Sequence, residues 1–179
     1  MKNLFPELSS DQVQLITGRL QTEIIARLLV PGSGVHLETA IAGAGSVAGY
    51  CLLAATEVSY VGLQTGQVVI AEEVNIQGPR LFAFMSTAAL YIGLPHLDRW
   101  DAPVPAEHQP LKTGTELTSI LRPPLERVFS DAAGDLLLRA RLAALVGLDL
   151  IKQGMAILDA DIGKSILSHA IVAAAKTVP

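Results

Sequence analysis

The chain has 179 residues, half of them hydrophobic and only 17% charged, with a formal net charge of -4. That length suits one domain with a real core, and scattered basic residues in an acidic chain argue against nucleic acid as the partner, because phosphate binding rests on clustered Lys and Arg. A mean hydropathy of +0.44 calls for wholly enclosed helices or an apolar face covered by another chain; we expect both, and hence a homo-oligomer.

The first twelve residues, MKNLFPELSSDQ, hold neither an apolar run nor a small-residue cleavage site, so no secretory signal is expected and the cytoplasm is the expected location. Ser9-Ser-Asp-Gln12 reads as a helix start with a capping box. Val13, Ile16, Leu20, Ile24 and Leu28 then recur at helical spacing up to Val30, where Pro31-Gly-Ser-Gly34 ends the helix.

Residues 39–56, TAIAGAGSVAGYCLLAAT, carry no charge and are crowded with Gly and Ala. The stretch is near the lower length limit for a membrane span, but its glycines dilute the hydrophobicity and no basic cluster or aromatic pair frames it. No membrane span is expected. Gly43-Ala-Gly45-Ser-Val-Ala48 fits the dinucleotide pattern G-x-G-x-x-G/A, and Glu72 stands where the ribose-binding acid would be sought. The preceding residues lack strand character, however. A central helix buried on all sides fits better, with the small residues letting neighbours approach. Its one cysteine, Cys51, is the only one in the chain, so it reads as a packed thiol and no intrachain disulfide can form.

Beyond it the period changes. Residues 58–63 and 68–76, separated by Gln-Thr-Gly-Gln, read as a small antiparallel β-hairpin, with Glu72 at its rim. Gly78-Pro79 then reads as a helix opening, and Leu81, Phe84, Met85, Ala88, Tyr91 and Ile92 form its apolar face up to Gly93.

Residues 95–114 form an irregular Pro-rich loop holding the only Trp. Such loops are commonly functional, and this one gathers His96, Asp98, Arg99, Trp100 and His108 as a candidate ligand or partner loop. His96 with Asp98 or His108 would form a metal site only if the loop folded around an ion.

A short helix is expected over 115–121, broken by Pro123 and Pro124 and restarted through Phe129. The following helix, from Asp135 to about Leu158, is apolar nearly all round. Leu138, Leu142 and Leu145 share an arc with its polar residues, which makes them a candidate oligomer face. Asp159 starts the last helix, with Lys164, Ser165 and Ser168 expected outward. Gly163-Lys164-Ser165 matches only the tail of a phosphate-binding loop, and the Ser165/His169 pair lacks a third, orienting group.

The expected fold is therefore mainly α: one helical domain over residues 1–179, a multi-helix bundle around the Gly/Ala-rich helix with a small β-hairpin. No complete catalytic or metal-binding constellation is present, and no cofactor is implied. The expected function is that of a non-enzymatic, oligomeric binding or assembly protein whose Leu face and Pro-rich loop engage another protein or a small apolar ligand. The alternative is a small enzyme or cofactor-binding protein using residues 43–49 or the His/Asp-containing loop 96–108.

Overall fold

The computed structural model describes residues 4–56, 58–94, 100–130 and 135–179. Among them are six α-helices: α1 (Ser10–Leu28), α2 (Leu37–Ala54), α3 (Glu72–Tyr91), α4 (Gly114–Ser130), α5 (Leu136–Gly154) and α6 (Ala160–Ala174). The helix starts follow local chemistry. Ser9 accepts the Gln12 amide while the Gln12 side chain accepts the Ser9 amide, a complete capping box at α1. Thr113 and Glu116 exchange the same pair of bonds at α4, and Asp135 and Asp159 accept the amides of Leu137 and Asp161 at α5 and α6.

Helix α2 is the axis of the bundle. It packs chiefly against α5 and α6 and less extensively against α4, and its residues 39–49 are buried without interruption. Two glycines make the α6 crossing close. A Cβ at Gly45 would stand 2.7 Å from the Leu167 carbonyl oxygen, and one at Gly49 would stand 2.9 Å from the Ala174 methyl. Each Gly costs roughly 1 kcal/mol of helix propensity relative to Ala, and the burial of α2 between neighbours offsets that.

The expected β-hairpin is absent: among the described residues no strand occurs. Residues 72–76 begin α3, where Val74, Leu81, Met85 and Ala88 are the buried positions at helical spacing, while Ile70 and Ile76 are exposed. Period-2 alternation over so short a run was overridden by the longer period-3.6 pattern that continues it. Pro79 lies inside α3 rather than opening it. Among the described residues the one β-type contact of this region, Val68 with Thr177, joins it to the C-terminal tail.

Two further expectations need correction. Pro123 and Pro124 do not divide α4, which runs unbroken through both. Leu117, Leu121, Leu125, Val128 and Phe129 are buried along it, and this tertiary packing outweighs the hydrogen bonds that the prolines cannot donate. Leu138, Leu142 and Leu145, the candidate oligomer face, are 2%, 0% and 4% exposed. They are core residues, enclosed by the chain's own helices, because α5 is wrapped by α1, α2, α3 and α6 and has little free arc left for a second copy.

Candidate functional site

The Pro-rich loop is pinned to the bundle at two places, each built around one of the residues singled out in the sequence. His96, Asp98 and Arg99 lie outside the described residues. Trp100 and His108 can be placed, and they meet different neighbours.

Trp100 lies between α3 and α6. Its indole N–H donates to Ser86 Oγ at 3.2 Å, its ring meets Phe82 edge-on at 5.9 Å between centroids and 65° between planes, and its carbonyl accepts the Ser168 hydroxyl. Behind the ring lies Lys164, whose Nζ is 5.4 Å from the ring centroid and 3.1 Å from the Asp161 carboxylate. Lys164, Ser165 and Ser168 are buried, opposite to the outward placement expected from the helical pattern. Burial of Lys164 is tolerable because its ammonium has both a carboxylate and an aromatic face.

These contacts shape an open groove of about 520 Å³, lined by Phe82, Trp100, Asp101, Ser168, His169, Val172 and Ala173. Its walls are aromatic and aliphatic. Asp101 and His169 are exposed at its polar edge. Such a lining, largely apolar with a few polar groups to one side, is what small-molecule sites use. A smaller hollow of about 290 Å³ between Phe84 and Leu137 has two arginines on its rim, but Arg141 is bonded to Glu7 at 2.8 Å and Arg80 to Gln77 at 3.4 Å.

The second anchor lies at the N-terminus of α2. His108, in a single 3-10 turn over Ala106–His108, contacts Glu38 Oε1 through Nδ1 at 2.9 Å. His36 Nε2 is 3.4 Å from Glu38 Oε2, and His36 Nδ1 is 2.9 Å from Thr39 Oγ1. Thr39 Oγ1 in turn accepts the Leu111 amide at 2.9 Å. One consistent proton arrangement runs from Leu111 N–H to Thr39, from the Thr39 hydroxyl to His36, and from His36 Nε2–H to Glu38. Burial alone would raise the Glu38 carboxyl. The His108 hydrogen bond, the backbone of Glu38 itself and the charges of the two imidazoles together outweigh it and hold that carboxyl below its ordinary value. This cluster ties residues 106–111 to the bundle.

No local pattern in the chain marks this cluster. Glu38 reads there as a first-turn acid that suits the helix dipole, and nothing in local spacing links it to a histidine seventy residues later.

Other sequence candidates separate or close up. Helix α2 passes unbroken through residues 43–49, all buried, and is preceded by His36 rather than by a strand. Its amides sit inside a helix with side chains packed around them, so the dinucleotide reading is overturned. Ser165 donates to the Asp161 carbonyl at 2.9 Å from a buried position while His169 is exposed, so the two form no nucleophile and base pair. Among the described residues no group of three His, Cys, Asp or Glu side chains is arranged to hold a metal ion.

Compared with protein-family models, curated proteins and solved structures, the chain matches none.

Proposed function

We propose that the protein is a non-enzymatic binding protein whose groove between Phe82 and Trp100 takes a small, largely apolar molecule bearing a ring. The supporting observation is the pre-positioning of Trp100. Its indole N–H, its carbonyl and both its ring edge and ring face are engaged by Ser86, Ser168, Phe82 and Lys164. A wall fixed in this way loses little side-chain freedom when a ligand settles on it, so more of the contact energy appears as affinity. A ring presented to Phe82 and Trp100 completes an offset or edge-on aromatic cluster, an arrangement worth roughly 0.5–1.5 kcal/mol per pair beyond simple area. Val172 and Ala173 cover its apolar edge, and His169 and Asp101 face a polar substituent.

Trp100 is the only tryptophan in the chain, so its fluorescence reports on the groove directly. Titration with naphthalene-class probes is expected to give a saturable change in Trp100 emission with one site per chain. Replacing Val172, which is exposed at the groove, by Arg fills that space from its rim and is expected to weaken binding at least tenfold. A linear, non-saturating response, or equal binding by the Val172→Arg protein, would count against the reading.

A further inference from the structure

We propose that residues 67–70 form an open β-edge at which two copies of this chain pair antiparallel, a surface independent of the Trp100 groove. The edge is defined by its hydrogen bonds. Gly66 N donates to Val178 O at 2.9 Å, Val178 N to Gln67 O at 2.9 Å, and Val69 N to Lys176 O at 2.7 Å. The segment is thus paired on one side with the C-terminal tail, and the antiparallel bridge falls between Val68 and Thr177. Along an extended strand, successive residues direct their backbone groups to opposite sides. The Gln67 carbonyl and the Val69 amide face the tail, while the Gln67 amide turns back to the Gln64 carbonyl at 3.0 Å. Val68 and Ile70 therefore direct theirs outward, and among the described residues neither of their amides donates a hydrogen bond.

The side chains add to the argument. Val68 is 69% exposed and Ile70 87%, with Val61 of the same connection at 92%. Exposed edges of this kind are templates for further pairing, and proteins normally blunt them with Lys, other charges or Pro. Residues 58–71 contain no charged residue and no proline. Nothing on the edge opposes a second strand.

The occupant that fits is the same segment from another copy. A twofold axis through Val69 sets Val68 of one chain opposite Ile70 of the other, so each pair exchanges both backbone bonds and the contact is closed and self-complementary. In this register Ala71 stands opposite Gln67 of the second copy, and Glu72, the nearest acid on that side, already belongs to α3 and lies beyond the paired edge. The uncharged edge meets itself without repulsion.

Sedimentation velocity over a wide concentration range tests this, beside amide hydrogen exchange at low and high concentration. The expected result is a reversible species of about twice the 18.9 kDa chain mass, with the Val68 and Ile70 amides slowed as it forms. Val68→Lys and Ile70→Lys, both at exposed sites and so compatible with folding, should each raise the association midpoint at least tenfold. Leu15→Lys, at an exposed apolar site on α1, should leave it unchanged. A monomer at every concentration overturns the proposal, and so does a dimer that tolerates both edge lysines and leaves the two amides unprotected.

Discussion

Gly49 of α2 lies directly against the Ile171 carbonyl of α6, so close that no Cβ could stand between them, with the Ala175 amide 2.9 Å from where that Cβ would be. Backbone, not a flexible side-chain end, fills the space. Gly49→Ala therefore has to push the two helices apart along their contact, and the expected loss is about 1–3 kcal/mol, despite the gain in helix propensity. Gly43 is the contrast. Its added Cβ would meet Leu121 and Leu28 side-chain ends at 3.1 and 3.2 Å, which can shift, so Gly43→Ala should fall within about 1 kcal/mol of the parent. Urea unfolding of the two variants checks the ordering. Equal losses at both sites would show that the close crossing is not what needs the glycine.

Ser46, one turn away, is buried with a hydroxyl that finds no hydrogen-bond partner among the described residues. An unpaired buried polar atom carries its full desolvation cost, and Ala keeps the shape of the site. Ser46→Ala is expected to stabilise the fold by about 1 kcal/mol, a rise of roughly 2–4 °C in Tm for a chain of this size. Calorimetry that finds a lower Tm would mean the hydroxyl does have a partner in solution.

These two positions also show what could be read in advance. The burial of α2 was legible because a long uncharged Gly/Ala run has few other uses, and the α1 capping box because its signal is local. The errors came where a short pattern met a longer one. Val68, Ile70, Val74 and Ile76 alternate like a strand, yet only Val74 is buried among them, and the helical set continued by Leu81 and Met85 determines the structure. Lys164 and Ser168 look outward by residue type, but the returning loop covers them with Trp100. Leu138, Leu142 and Leu145 share an arc with charged residues, yet neighbouring helices cover all three leucines. Trp100 stands out in the sequence as the only tryptophan, set in a Pro-rich loop, whereas Glu38 and Phe82 depend on contacts distant in sequence that no local period encodes.

The Glu38 cluster gives the fold a defined response to acid. A carboxyl held below its ordinary value in the folded chain contributes stability that is fully present above the unfolded value, about 4.3. That contribution is lost as the pH falls through the lower folded value. Glu38→Gln should therefore cost about 1 kcal/mol near pH 6, where the His108 hydrogen bond reaches a charged acceptor. The difference from the parent should shrink as the pH is lowered to about 3. His108→Ala should cost a similar amount and let the Glu38 carboxyl titrate at higher pH, visible in the carboxyl carbon shift by NMR. A difference between parent and Glu38→Gln that stays constant from pH 6 to 3 would sink this account.

Cys51 supplies an internal probe of how α2 opens. It is buried in the middle of the bundle, and burial pushes its thiol up to about 12, with the Arg139 charge opposing that only in part. At pH 8 its thiolate fraction is then on the order of a thousandfold below that of an exposed cysteine, and steric enclosure slows attack further. Iodoacetamide should leave the native protein unmodified over hours and label it stoichiometrically in denaturant. Because α2 touches α4, α5 and α6 together, it cannot expose Cys51 without separating from them, so the labelling rate across sub-denaturing urea should rise with the same slope as global unfolding. Gly49→Ala should raise that rate by the factor its stability loss implies, roughly 5- to 150-fold for 1–3 kcal/mol. Labelling that is fast in the native state, or that is insensitive to both urea and Gly49→Ala, would show that α2 frays locally and is not the fixed axis of the bundle.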